Sequence, residues 1–336
     1  MNGTLETHWI DSRALEGNPL RDPSRRELRV YLPPGYAQEN GALPVVYFLH
    51  AFGNSGRSWT HFGGFGPTAL ERLDKLVSQG TIPRCIGVFP DGWTALGGTQ
   101  WINTPAVGRY SDYLAQDVVS FVDRTYRTVP DRLARAVLGH SSGGYGALAM
   151  GRKHPELFGH VGSHSGDAYF EYCYLPDLPK AAAALLKFPD VGAWFADLLK
   201  RAAETKTRGD DFPVINIVAM AAHYSPKVGE PLNVELPFEE DTGRMRPGVW
   251  ARWLEQDPVR FVRQHAEAFR GLRSVFVDCG SRDEFNLRWG ARMVARALFD
   301  NGVEHVHEEF DDGHSGVGYR FERSLAYLVP RMVATP

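Results

Sequence analysis

The sequence predicts an α/β fold: a mostly parallel central sheet with helices on both faces, interrupted late in the chain by a helical insertion. Three observations predict it. Short runs rich in β-branched and aromatic residues alternate with longer stretches of helical periodicity. Several of those runs are apolar throughout, as strands covered on both faces must be. About a hundred residues near the centre carry no strand pattern at all.

In chain order the strand candidates are "ELRVYL" (27–32), "VVYFLH" (45–50), "CIGVFP" (85–90), "RAVLG" (135–139), "HVGSHS" (160–165), "SVFVDCG" (274–280) and "VHEEF" (306–310). Between them, "SDYLAQDVVSFVDRTY" (111–126), "YGALAMGRKH" (145–154) and "LRWGARMVARALFDN" (287–301) place apolar residues at helical spacing and supply the covering helices. From about Ala168 to Arg270 the pattern changes. "LPKAAAALLK", "VGAWFADLLKRAAE" and "DPVRFVRQHAEAF" read as helices around a Pro-rich stretch. The expected organisation is therefore a core of residues 1–167 and 271–336, with residues 168–270 inserted as a helical cap or lid.

Composition narrows the function. A chain of 336 residues with 43% hydrophobic and 23% charged residues buries a sizeable core without staples. A formal charge of -3 with dispersed basic residues disfavours nucleic acid and anionic membranes as partners and leaves small molecules. The N-terminal residues lack the apolar segment of a secretory signal, and no run of about 18 apolar residues follows, so a cytoplasmic protein is expected. The three cysteines fit that expectation: Cys85 and Cys279 lie in apolar runs, Cys173 lies in an aromatic stretch, and none forms a CxxC pair. A homo-oligomer is left open.

The chemistry centres on "VLGHSSGGYGAL" (137–148). Gly139-His140-Ser141-Ser142-Gly143 fits G-x-S-x-G in one register only, because Ser142 would need glycine where His140 stands. In a nucleophile elbow the serine occupies a strained turn between strand and helix, and small residues two before and two after let those elements approach. Serine needs a general base, and the base needs an orienting carboxylate. In this arrangement acid and then histidine follow the serine, on loops at the carboxyl ends of later strands. "SVFVDCGSRDEF" delivers Asp283 and "VHEEFDDGHSGVG" delivers His314. Glu284 and Asp167 are the alternative acids, whereas Asp278 sits inside a strand and His164 precedes the acid. His305, His307 and Glu309 share a strand face that could hold a metal, but a solvated face is the reading preferred, and no cofactor or metal is implied. For the oxyanion, the backbone N–H groups of Ser142 and Phe52 are the candidate donors.

These segments carry a resemblance. "VYLPPGY", "VVYFLHAFGNSGRSW", "FPDGW", "YSDYLAQDVVSFVDRTYRT", "GHSSGGYGAL", "DCGSRDEF" and "DDGHS" resemble the esterase family of α/β-hydrolases that includes S-formylglutathione hydrolases, feruloyl esterases, enterochelin-esterase-like proteins and mycolyltransferases. The resemblance covers most of the chain outside the insertion. It implies an α/β-hydrolase fold and a serine hydrolase cleaving carboxylic esters, with Ser141, Asp283 and His314 at the matching triad positions. One departure is His50-Ala51 where family members often have His-Gly, since glycine permits backbone angles that alanine resists.

Substrate contacts are expected from Trp59, Trp101, Tyr110 and Tyr169, with Trp93 nearby. The same aromatics are equally suited to packing the cap onto the core. Asp167 and Glu171 suit a cationic group and Arg109 a carboxylate. An acyltransferase using the same acyl-enzyme, a lyase using the same three residues, and a non-catalytic binding protein on this fold are the alternatives.

Overall fold

The computed structural model describes residues 1–227 and 232–332. Eight strands form one sheet in the spatial order β1-β2-β4-β3-β7-β8-β9-β10. These are β1 (Thr4–Asp11), β2 (Arg25–Leu32), β3 (Val45–Leu49), β4 (Ile86–Pro90), β7 (Arg135–His140), β8 (His160–His164), β9 (Ser274–Gly280) and β10 (His305–Phe310); a two-stranded ribbon of β5 (Asn103–Thr104) and β6 (Gly108–Arg109) stands apart. β1 pairs antiparallel with β2, and β2 with β4. From β4 to β10 every pairing is parallel.

The apolar runs become the fully buried strands, and period two divides their side chains between two cores. Val45, Tyr47 and Leu49 of β3 face one cluster, with Val137, Val161 and Val277. Val46 and Phe48 face the other, with Leu138 and Phe276. Helix α1 (Ala69–Ser78) and helix α6 (Phe321–Met332) cover that second face. Helix α2 (Ser142–Lys153) covers the first, and a helical stretch over residues 110–125 packs beside it.

Between β8 and β9 the described chain is mainly helical, and α3 (Val191–Glu204) and α4 (Asp211–Tyr224) are its longest helices. No described residue of this stretch joins the main sheet. The helix α5 (Leu287–Asp300) follows β9.

Three kinds of element escape the sequence pattern. β1 is an edge strand whose residues are mostly exposed or half-buried, so it lacks the apolar signature, and its pairing to β2 defines it. The β5–β6 ribbon is two residues per strand. α4, "DFPVINIVAMAAHY", is apolar on nearly all sides and therefore has no amphipathic period; eleven of its residues are buried.

Candidate active site

The parallel strands end on one side of the sheet, and the loops leaving β3, β7, β8, β9 and β10 meet there. Ser141 stands between β7 and α2 with φ 55° and ψ −122°, a positive-φ backbone conformation that is costly for any residue with a Cβ. The two flanking glycines make the turn possible. A Cβ on Gly139 would lie 2.5 Å from the carbonyl carbon of Gly143, and one on Gly143 would lie 2.0 Å from the Leu49 carbonyl oxygen. Ser142 opens α2, so its N–H is among those with no carbonyl one turn back to receive it.

Asp283 lies three residues beyond the end of β9, in the loop before α5, and His314 lies in the loop after β10. His314 Nδ1 is 2.7 Å from Asp283 Oδ2, and both side chains are buried. The other carboxylate oxygen, Oδ1, accepts the N–H groups of Phe285 at 2.9 Å and Leu287 at 3.3 Å. Burial is the largest influence on this carboxyl and works upward. The His314 hydrogen bond and charge, with the two N–H donors, outweigh it and hold Asp283 below the usual carboxylate range.

The backbone of His314 is held as firmly as its ring. Its N–H donates to Glu284 Oε2 at 2.7 Å, and its carbonyl accepts from His140 Nε2 at 2.9 Å. Burial pushes His140 down to about 3, so near neutral pH it is an uncharged donor. The rings of His140 and Phe285 flank the His314 ring at centroid distances of 4.6 and 4.7 Å.

Ser141 Oγ and His314 line one cleft of about 380 Å³. Among the described residues no hydrogen bond joins them; Ser141 Oγ donates instead to Asp167 Oδ1 at 3.4 Å, a long contact. Asp167 is buried, and its Oδ2 accepts from Tyr174 OH at 3.0 Å, Gln100 Nε2 at 3.1 Å and Ser142 Oγ at 3.3 Å. Burial raises its carboxyl above the ordinary range, against the opposing effects of Gln100, Tyr174, His314 and Ser142. The three acids thus divide: Asp283 on the His314 ring, Glu284 on its backbone, Asp167 on the serine. Asp278 and His164 form a separate buried network with Arg320 and Ser324.

Phe52 lines the same cleft, and its N–H makes no hydrogen bond among the described residues. Ala51 is not among the residues with positive φ, so its Cβ imposes no strain on the loop. A larger cleft of about 590 Å³ adjoins the first and contains Trp59, His61 and Phe65; the two share Ala51, Asn54, His140 and Ser315. A cavity of about 700 Å³ between Leu185 and Asp241 contains none of these groups.

The remaining expected contacts lie elsewhere, which corrects the aromatic readings. Trp101 is fully buried, its Nε1 donating to the His50 carbonyl at 3.3 Å and its ring filling the space left by Gly146. Tyr110 is also fully buried and accepts from Arg26. Both serve the core because their rings point under the loops, a direction that aromatic content does not reveal. Tyr169, at φ 60°, packs against Tyr172 with the two rings tilted by 45° and lines neither cleft. Arg109 pairs with Asp112, Glu171 with Arg260, and Glu309 with Arg292.

Sequence reasoning missed Gln100, Tyr174, Phe212 and Asn216. Gln100 and Tyr174 hold Asp167, while Phe212 and Asn216 enter the cleft from α4, the helix without a period. His140 and Phe285 were missed as well, although the variable position of the elbow and the residue two beyond the acid marked them.

A family described as "Putative esterase" matches residues 23–330. The chain belongs to this family. A stretch of 144 residues is 29% identical to an endo-1,4-beta-xylanase/feruloyl esterase of Xylanibacter ruminicola, covering 42% of this chain and 19% of that protein. A stretch of 151 residues is 25% identical to S-formylglutathione hydrolase of Mus musculus, covering 43% of this chain and 52% of that protein. The matched stretches thus span a fifth to about half of those relatives' lengths. Among solved structures, a ferulic acid esterase of Anaeromyces mucronatus superposes with a TM-score of 0.57 at 17% identity, covering 98% of this chain and 92% of the other. An S-formylglutathione hydrolase from Agrobacterium tumefaciens does so with a TM-score of 0.58 at 15% identity, covering 98% and 96%. At that identity the likeness establishes the α/β-hydrolase fold.

Proposed function

We propose that the protein is a carboxylic ester hydrolase that works through an acyl-enzyme on Ser141. The observation that carries this reading is the 2.7 Å bond from Asp283 to His314 beside a strained serine at a strand-to-helix turn. Family membership supports it.

In the proposed cycle Asp283 holds the imidazole with its proton on Nδ1, leaving Nε2 as the base. Ser141 Oγ turns from Asp167 toward Nε2, a rotation in keeping with the looser geometry of unliganded sites. Oγ then attacks the ester carbonyl as His314 takes its proton. The N–H groups of Phe52 and Ser142 receive the oxyanion, and the positive end of α2 favours the developing charge. His314 returns the proton to the departing alcohol. Water, deprotonated by the same nitrogen, cleaves the acyl-enzyme.

The substrate in this reading is a small-molecule ester; neither nucleic acid nor membrane takes part. The insertion of residues 168–270 acts as the cap, and it brings Phe212 and Asn216 to the cleft. We also read the chain as cytoplasmic, a reading supported by three buried, free cysteines. Among the described residues no helix is long and apolar enough to cross a membrane.

The test is hydrolysis of p-nitrophenyl esters of graded chain length and of methyl ferulate by wild type and Ser141→Ala. Serine-dependent turnover is expected, with loss of about 10³-fold or more in the variant. Equal activity in both proteins, or failure of a fluorophosphonate to label Ser141, would overturn it.

A further inference from the structure

The proposed reaction leaves one group in the cleft without a task. Asp167 is a buried carboxyl beside the nucleophile, and every hydrogen bond it receives comes from a neutral group: Gln100, Ser141, Ser142 and Tyr174. Among the described residues no lysine or arginine lines the cleft. Gln100 Nε2 can only donate, so Oδ2 of this carboxyl is held as an acceptor, and Oδ1 is the oxygen turned toward Ser141.

Such a group is out of place in an esterase for uncharged acyl groups. A carboxylate 3.4 Å from Ser141 Oγ stands close to where the oxyanion develops, and like charge there opposes the transition state. A cation placed between them would satisfy both. The cleft has room for one, and Asn216, whose side-chain amide makes no hydrogen bond among the described residues, also lines it.

Resting on the hydrolase reading, we infer that Asp167 is a specificity-determining carboxylate that selects esters whose acyl part carries a protonated amine next to the carbonyl. The acyl side is indicated because the acyl carbon bonds to Oγ itself, which puts its first substituent within reach of Asp167. The leaving oxygen must instead approach His314. The adjoining cleft, which contains neither Ser141 nor Asp167 but shares His140 and Ser315, continues on that side and can take the alcohol.

Benzyl esters of L-alanine, L-lactate and isobutyrate test this, since they differ only in carrying an ammonium, a hydroxyl or a methyl group at one position. The readout is kcat/KM for each with wild type and Asp167→Asn. Intrinsic differences in ester reactivity cancel in the ratio of alanine to isobutyrate ester between the two proteins. That ratio is expected to fall about 10- to 100-fold in the variant, with the isobutyrate ester turned over faster than by wild type. A ratio unchanged within about twofold would overturn the inference, and so would a lactate ester favoured as strongly as the alanine ester.

Should Asp167→Asn fail to fold, wild type alone decides. Isopropylammonium should protect Ser141 from fluorophosphonate labelling at concentrations where isopropanol does not, and equal protection would refute the assignment. Hydrolysis of the isobutyrate ester without discrimination overturns the role of Asp167 alone. Absence of serine-dependent hydrolysis of all three esters overturns the hydrolase reading and this inference with it.

Discussion

Replacing His223 with glutamine should remove a defined share of the protein's acid sensitivity. His223, on α4, is buried; its Nδ1 donates to the Ala219 carbonyl at 2.7 Å, and its Nε2 accepts the Gln100 N–H at 3.2 Å. Protonation would set an N–H against an N–H in a dry site, and burial accordingly pushes the imidazole down from 6.5 to about 4. The folded value lies below the unfolded one, so between these limits the unfolded chain binds the extra proton. Stability contributed by neutral His223 is therefore intact above about pH 6.5 and is lost as pH falls toward 4. At pH 5 the loss from this one group is about 2 kcal/mol, and at pH 7 it is negligible. Glutamine can accept the same Gln100 N–H without titrating. Urea unfolding followed by tryptophan fluorescence, at both pH values, measures the difference between wild type and His223→Gln. That difference should move by about 2 kcal/mol in favour of the variant on going from pH 7 to pH 5. Other titrating groups, including His160 at about 4, cancel in the comparison. A difference that stays constant across the two pH values would refute the assignment of a neutral, accepting Nε2.

Three further outcomes follow from the geometry. Asp283→Asn should lower kcat by about 10³- to 10⁴-fold with KM little changed, and near wild-type kcat would remove Asp283 from its proposed role. Gly143→Ala drives a Cβ to 2.0 Å from the Leu49 carbonyl oxygen. The elbow must open, so the melting temperature should drop by the equivalent of about 1–3 kcal/mol or more and fluorophosphonate labelling should fade. Trp101→Phe should cost about 1–3 kcal/mol in urea unfolding through its lost His50 bond and packing, while KM for any ester hydrolysed stays within about twofold; a large rise in KM would return Trp101 to the substrate.

Local pattern was enough where the physics is local. Strands buried on both faces are largely apolar, so β3, β4, β7 and β9 could be read directly from their composition, while β-branched and aromatic residues marked β2, β8 and β10. The elbow could be read because two glycines and a serine at fixed spacing are a steric requirement of the turn itself, visible in the 2.0 Å and 2.5 Å approaches. Asp283 and His314 could be placed because each follows a readable strand by a few residues, and their 2.7 Å bond joins loops from neighbouring strands β9 and β10.

Other features depended on pairings that no local window contains. β1 exists because β2 offers an edge, and α4 is a helix whose largely apolar surface is mostly buried in the fold. Which acid serves which atom was open between Asp283, Glu284 and Asp167, since all three can reach the same side of the sheet. Backbone directions in the folded loops send one to the ring of His314, one to its N–H and one to Ser141. Whether an aromatic side chain points into the cleft or beneath it was equally closed to inspection, as Trp101 and Tyr110 illustrate. The sequence by itself therefore determined most of the sheet's strands and the order of the reactive groups, because spacing and side-chain chemistry are properties of the chain. Only the tertiary structure decided their orientation and neighbours, because burial and hydrogen bonding arise from segments far apart in sequence that meet on folding.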